Sequence, residues 1–201
     1  MKRFFIVTVF ILIAIATTGT YYLTQQADIY YYQGHDLFVK AQYKDAVPFF
    51  RESLKHDPTR SRTLSELAYA CLWSGQHQEA IPVFQKLLLL EPKSLHAKKS
   101  LAAAYAWNKE YAKAEALFLD VLGPDSKDRE SQKALAEIYL WDKKFDKAKA
   151  LLEVLLEGDP GDTRAKFLYG KALLYSGQTK DAIRIFEELS KKTAPAEKGN
   201  P

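Results

Sequence analysis

The chain carries one cysteine, one methionine and four histidines in 201 residues. A lone cysteine, Cys71, cannot close an intramolecular disulfide or join other thiols around a metal. Catalytic and nucleotide-binding signatures are missing as well: there is no G-x-S-x-G, G-x-G-x-x-G, P-loop, H-E-x-x-H or C-x-x-C. An excess of one charge sign is also absent. The 29 basic side chains include Lys2 and Arg3, leaving 27 against 25 acidic ones over the rest of the chain. That balance argues against a nucleic-acid partner, because phosphate binding needs a clustered basic face. At 47% hydrophobic and 27% charged residues, the chain is too apolar to remain disordered.

Charge is missing again between Arg3 and Asp28, and Phe4 to Leu23 read FFIVTVFILIAIATTGTYYL. Twenty helical residues rise about 30 Å, the thickness of a bilayer's hydrocarbon core. Lys2 and Arg3 then mark a cytoplasmic end, and Tyr21 and Tyr22 fit the interfacial aromatic belt at the other. Ala14-Ile15-Ala16 also fits a signal-peptidase site, so residues 1–26 read either as a membrane anchor or as a cleaved signal. Both readings place the remainder outside the cytoplasm, as a single-pass membrane protein or a periplasmic one. No cysteine in this region is available for acylation.

From residue 27 the sequence repeats itself. Ala46, Ala80, Ala114, Ala148 and Ala182 recur every 34 residues, and four residues after each come Phe50, Phe84, Phe118, Leu152 and Phe186. Residues four apart share a helix face. Twelve residues before each alanine stands a small residue: Gly34, Ala68, Ala102, Ala136 or Gly170. Leu37, Cys71, Tyr105, Tyr139 and Leu173 form an apolar column, with Leu67, Leu101, Leu135 and Tyr169 beside it and Gln33 the exception. Pro58, Pro92 and Pro160 punctuate unit ends, where a missing N–H stops a helix, and Pro124 and Pro195 do so out of register. The phase gives units 27–60, 61–94, 95–128, 129–162 and 163–196, each a helical hairpin, followed by a tail at 197–201. The histidines His35, His56, His77 and His96 occupy four different columns, which scatters them. No catalytic residue, metal or cofactor is therefore expected, and Cys71 is expected in the core.

This spacing of small, aromatic and proline residues resembles the tetratricopeptide repeat. The resemblance implies an all-α, right-handed superhelical solenoid, here preceded by one transmembrane helix, whose first helices line a groove suited to extended ligands. At the position where a large aromatic is expected early in each unit, this chain has Tyr30, Leu64, Lys98, Gln132 and Lys166. The asparagines with which some members clamp a carboxylate are also not reproduced.

One column holds every tryptophan: Val39, Trp73, Trp107, Trp141 and Tyr175, near the ends of the first helices. Facing the groove, these rings would form platforms for peptide side chains or sugar rings; turned into the hairpin bend, they would be core. Further candidate contacts are Tyr69, the pair Lys99 and Lys133, read either as an acceptor of acidic groups or as solvated, and Ile183 on a last helix without a polar cap. The functional expectation is a non-catalytic scaffold or assembly factor that binds unidentified protein partners on the extracytoplasmic face of a membrane. The segments YAWNKEYAKAEALF and YLWDKKFDKAKALL resemble repeat proteins of polysaccharide secretion. Glycan binding along a tryptophan ladder is the alternative, and self-association through the last helix a further expectation.

Overall fold

The computed structural model describes the backbone of residues 2–123 and 127–193, with the side chains of residues 15, 17–123 and 127–191. Among these residues there are ten helices and no strand. The helices are α1 (Lys2–Val39), α2 (Tyr43–His56), α3 (Ser61–Trp73), α4 (His77–Leu90) and α5 (Leu95–Trp107), then α6 (Tyr111–Leu122), α7 (Arg129–Trp141), α8 (Phe145–Gly158), α9 (Thr163–Tyr175) and α10 (Thr179–Thr193). They form a tandem series of helical hairpins. The chain divides into two compact units, Met1–Ala104 and Tyr105–Pro201.

Helix α1 runs unbroken for 38 residues, about 57 Å at 1.5 Å per residue. Residues 24–27 continue the same helix into the first repeat, and Thr18, Thr20 and Thr24 return their hydroxyls to carbonyls three residues back. Among the described residues, no helix is long and apolar enough to cross a membrane. The anchor expected over residues 4–23 falls largely on residues 4–14 and 16, whose side chains lie outside the described set, as do Pro124, Pro195 and the tail at 197–201.

Within the first unit, Phe50 and Phe84 are fully shielded from solvent and Leu64, Leu67 and Leu87 nearly so. Each such side chain contributes about 1.5–3 kcal/mol of burial. The small column serves these bulky residues: a Cβ placed on Gly34 would sit 2.8 Å from the Phe50 ring. Polar pairing completes this core, with Ser53 Oγ donating to the Ala27 carbonyl at 2.8 Å and lying 3.4 Å from Thr63 Oγ1. The second unit repeats the scheme with Phe118, Leu135, Leu152 and Leu155, and a Cβ on Gly170 would meet the Phe186 ring at 2.6 Å. Asp128 and Asp162 cap α7 and α9, accepting from the amides of Ser131 and Ala165.

Two further prolines do not punctuate units. Pro48 and Pro82 lie inside α2 and α4, each the sixth residue of its helix. Both are exposed, so the carbonyls they leave without an amide partner are open to water.

Candidate interaction surface

The turn inside each hairpin is built the same way. Helices α1, α3, α5, α7 and α9 end on a left-handed residue at one repeat position, occupied by Ala41, Gly75, Lys109, Lys143 and Gly177 with φ between 58° and 85°. The amide of that residue and of the next fold back on the helix, as in Gln42 N to Leu37 O at 2.9 Å and Ala41 N to Phe38 O at 3.0 Å. This paired return is the Schellman arrangement, which satisfies carbonyls the helix end would leave open. The residue two places before the left-handed position is the last of the helix: Val39, Trp73, Trp107, Trp141 or Tyr175.

That placement leaves each of these residues at the turn edge of its own hairpin, between 41% exposed (Trp141) and 64% (Val39). The rings are neither buried core nor isolated. Trp73 packs on Phe38, Tyr43 and Tyr69, with ring centroids 5.5, 5.0 and 5.2 Å away. In the second unit Tyr175 lies 5.8 Å from Phe145. Beside these rings open equivalent hollows. One of about 240 Å³ is walled by Tyr43, Lys44 and Trp73, and one of about 540 Å³ is walled by Lys143, Phe145, Lys149 and Gln178. Both combine an aromatic wall with charged and amide groups, a surface suited to polar chains that carry apolar groups.

The other candidate residues are distributed differently. Tyr69 is half-buried, its hydroxyl 2.7 Å from Ser100 Oγ and its ring against Phe84 and His96. Lys99 is likewise half-buried. Lys133 is not the solvated or ligand-ready lysine expected: its side chain is 8% exposed and contacts Asp162 at 3.0 Å and Glu130 at 2.6 Å. The side chains of Lys99 and Lys133 therefore do not form an equivalent pair. Ile183 is 51% exposed, whereas Val47 and Ile81 at the same repeat position are 4% and 9% exposed. The last hairpin thus leaves open a position that is buried in the first two.

A profile of the tetratricopeptide repeat matches residues 72–138 and 139–197, more than half of the chain. The chain belongs to the tetratricopeptide repeat family. Solved tetratricopeptide-type structures agree on the fold. The crystal structure of the MamA protein is 23% identical, with a TM-score of 0.71 over 88% of this chain and 98% of its own. A MamA structure from Desulfovibrio magneticus RS-1 is 20% identical, with a TM-score of 0.72 over 85% and 98%. YrrB, a tetratricopeptide repeat protein with an unusual peptide-binding site, is 15% identical, with a TM-score of 0.64 over 82% and 84%. No curated protein matches the sequence.

Two polar clusters on the tetratricopeptide framework were not legible as such in the sequence. In the first unit Glu66 accepts from the Tyr31 hydroxyl at 2.6 Å and lies 2.8 Å from His35 Nδ1, while Arg60 and Arg62 stand over the Tyr31 ring. Burial, with the Glu66 bond behind it, holds the Tyr31 phenol well above its ordinary range. In the second unit Asp162 joins Arg129 and Lys133, and Arg164 reaches both Glu130 and Glu137. Burial opposes ionisation of Asp162, but the Ala165 amide, Lys133 and Arg129 outweigh it and hold the carboxyl below its usual value. The signal for this cluster was an aspartate three residues before a buried small residue, which marks a helix cap. Cys71 is buried, and that burial pushes its thiol up to about 11. Among the described residues, no group of three or more His, Cys, Asp or Glu is placed to hold a metal ion.

Proposed function

We propose that this chain is a non-catalytic scaffold or assembly factor, tethered to a membrane by residues 4–23 and presenting its repeats on the extracytoplasmic face to partner proteins. The observation that carries the reading is the exposed aromatic column at the turn edge of a tetratricopeptide repeat chain, with Trp73, Trp107, Trp141 and Tyr175 each more than two-fifths open. Solvent-exposed aromatic groups recurring at one repeat position mark a contact surface, because a monomer gains nothing by leaving them in water. The unusual peptide-binding site of YrrB, which shares the fold, supports protein ligands for such a framework.

Tethering is supported by the uncharged run from Phe4 to Leu23 and by the continuity of α1 from that run into the first hairpin. A repeat chain joined in this way would find its partners close to the membrane, in an envelope complex such as one of polysaccharide secretion. In-cell crosslinking of the full chain with mass-spectrometric identification of neighbours tests the reading. It predicts a reproducible set of membrane-associated protein neighbours, and a chain that crosslinks to no protein refutes it.

The aromatic hollows favour a second reading, glycan binding. Oligosaccharide titration separates the two, since only sugars that stack on Trp73, Trp107 or Trp141 alter tryptophan fluorescence.

A further inference from the structure

The second unit contains a cleft that the aromatic column does not explain. Helices α6 and α8 flank it and α7 forms its floor, leaving a cavity of about 350 Å³ between Leu122, Leu135, Tyr139 and Leu151. Helix α6 has 12 residues where α2, α4 and α8 have 14. It stops at Gly123, which is part of the lining. The cavity is about twice the ~150 Å³ that accommodates a benzene ring in an engineered core.

The rim of this cleft breaks the repeat. Leu119, on the lining and 50% exposed, occupies a position that reads Arg51, Gln85, Glu153 and Glu187 in the other units. Val154, 62% exposed, occupies one that reads Glu52, Lys86, Asp120 and Glu188. Val154 continues the α8 stripe of Lys147, Ala150 and Leu151, at the i, i+3, i+4, i+7 spacing of one helix face. Two positions that are polar in every other repeat are therefore apolar on the two helices that flank this cavity. The charged member of the lining is a cation, Lys147, whose ammonium stands 5.3 Å above the Tyr139 ring and 3.0 Å from Glu115.

We propose that this cleft docks an amphipathic, acidic helix of a partner protein, which inserts two apolar side chains about one turn apart and meets Lys147 with a carboxylate. The inference rests on the scaffold reading above and names a contact surface for it. The cavity volume suits two side chains. The exposed Leu119 and Val154 lie on different helices, α6 and α8, so the apolar surface is shared by two elements, as in the helix-in-groove mode of recognition. The cationic lip selects an acidic partner.

The test uses the full chain in detergent micelles and three labelled peptides of about 16 residues, long enough to hold a helix in an alanine-rich host. One carries two leucines a turn apart among glutamates, the second the same leucines among lysines, and the third serines in place of the leucines among glutamates. Fluorescence anisotropy is expected to show the acidic leucine peptide binding at least about tenfold tighter than either control, a difference of ~1.4 kcal/mol. The double variant Leu119→Glu/Val154→Glu installs residue types that equivalent positions already carry, so it keeps the fold, which circular dichroism checks. It is expected to abolish this preference for leucine, and Lys147→Gln the preference for acid. Equal binding to wild type and double variant, or saturation by decanoate with no peptide binding, overturns the proposal. Those results leave the in-cell neighbours of the chain intact, whereas failure of the scaffold reading removes the neighbours themselves.

Discussion

Replacing Gly75 or Gly177 by alanine isolates the backbone strain of the hairpin turns. Both glycines have φ above +80°, and a Cβ on either would meet nothing within 4 Å, so packing does not enter. A left-handed conformation costs an L-residue about 1–2 kcal/mol. Alanine recovers about 0.4–1 kcal/mol by narrowing the unfolded ensemble. The net expectation is a loss of about 0.5–1 kcal/mol per site, measurable against a typical total of about 5–15 kcal/mol. The reverse experiment exists in the same protein, because Ala41, Lys109 and Lys143 hold this conformation with side chains attached, at φ of 58°, 62° and 58°. Ala41→Gly, Lys109→Gly and Lys143→Gly should each stabilise by a similar amount. Urea denaturation of the full chain, followed by helical circular dichroism, reads both series. Opposite signs for the two series support the reasoning; a stabilising Gly75→Ala or a destabilising Lys143→Gly refutes it.

Three further expectations follow from the packing and the charges. Gly34→Ala should destabilise by about 1–2 kcal/mol, since the Phe50 ring 2.8 Å from the new Cβ is fully buried; Gly170→Ala should be near neutral, since Phe186 is only half-buried and can swing outward. Lys133→Met should cost about 2 kcal/mol in thermal or urea unfolding, because it strips a cation from a carboxylate that is only 9% exposed. Asp162 has its folded pKa lowered, so its contribution is fully present above the ordinary aspartate pKa and is lost as pH falls through the lowered value. In Lys133→Met the folded value rises toward the unfolded one, so the contribution is smaller and its loss is complete at a higher pH, which an acid titration by circular dichroism detects. The Cys71 thiol, pushed up to about 11 by burial, should resist alkylation near pH ~8.5, the ordinary thiol pKa, until urea exposes it; rapid labelling of the folded chain would contradict its place in the core.

The hairpins were legible because a 34-residue period repeats every determinant at once. The alanine, the bulky residue four later and the small residue twelve before recur together, and helices α3, α5, α7 and α9 begin at Ser61, Leu95, Arg129 and Thr163, also 34 apart. The same regularity concealed what differs between repeats. Lys133 shares a column with Lys99, so sequence alone paired them; its partner Asp162 belongs to the cap of α9, the first helix of the next repeat, a contact that only folding creates. The exposure of Trp73, Trp107 and Trp141 turned on one or two residues of helix length, since the last residue of a helix lies at its edge while one a turn earlier faces the core. Leu119 and Val154 are apolar at positions that are polar in the other repeats, and only folding sets a cavity between the helices that carry them. Pro48 and Pro82 fall outside the unit-end pattern, and each sits in an exposed part of its helix where water replaces the lost hydrogen bond.

The central claim is that the exposed turn edge holds partner proteins. The direct measurement compares the crosslinked neighbours of the full chain in cells with those of a Trp73→Ser/Trp107→Ser/Trp141→Ser variant of unchanged helical content. The account predicts that the variant remains at the wild-type level and position in the cell but loses one or more protein neighbours. An identical neighbour set in the two chains would contradict it.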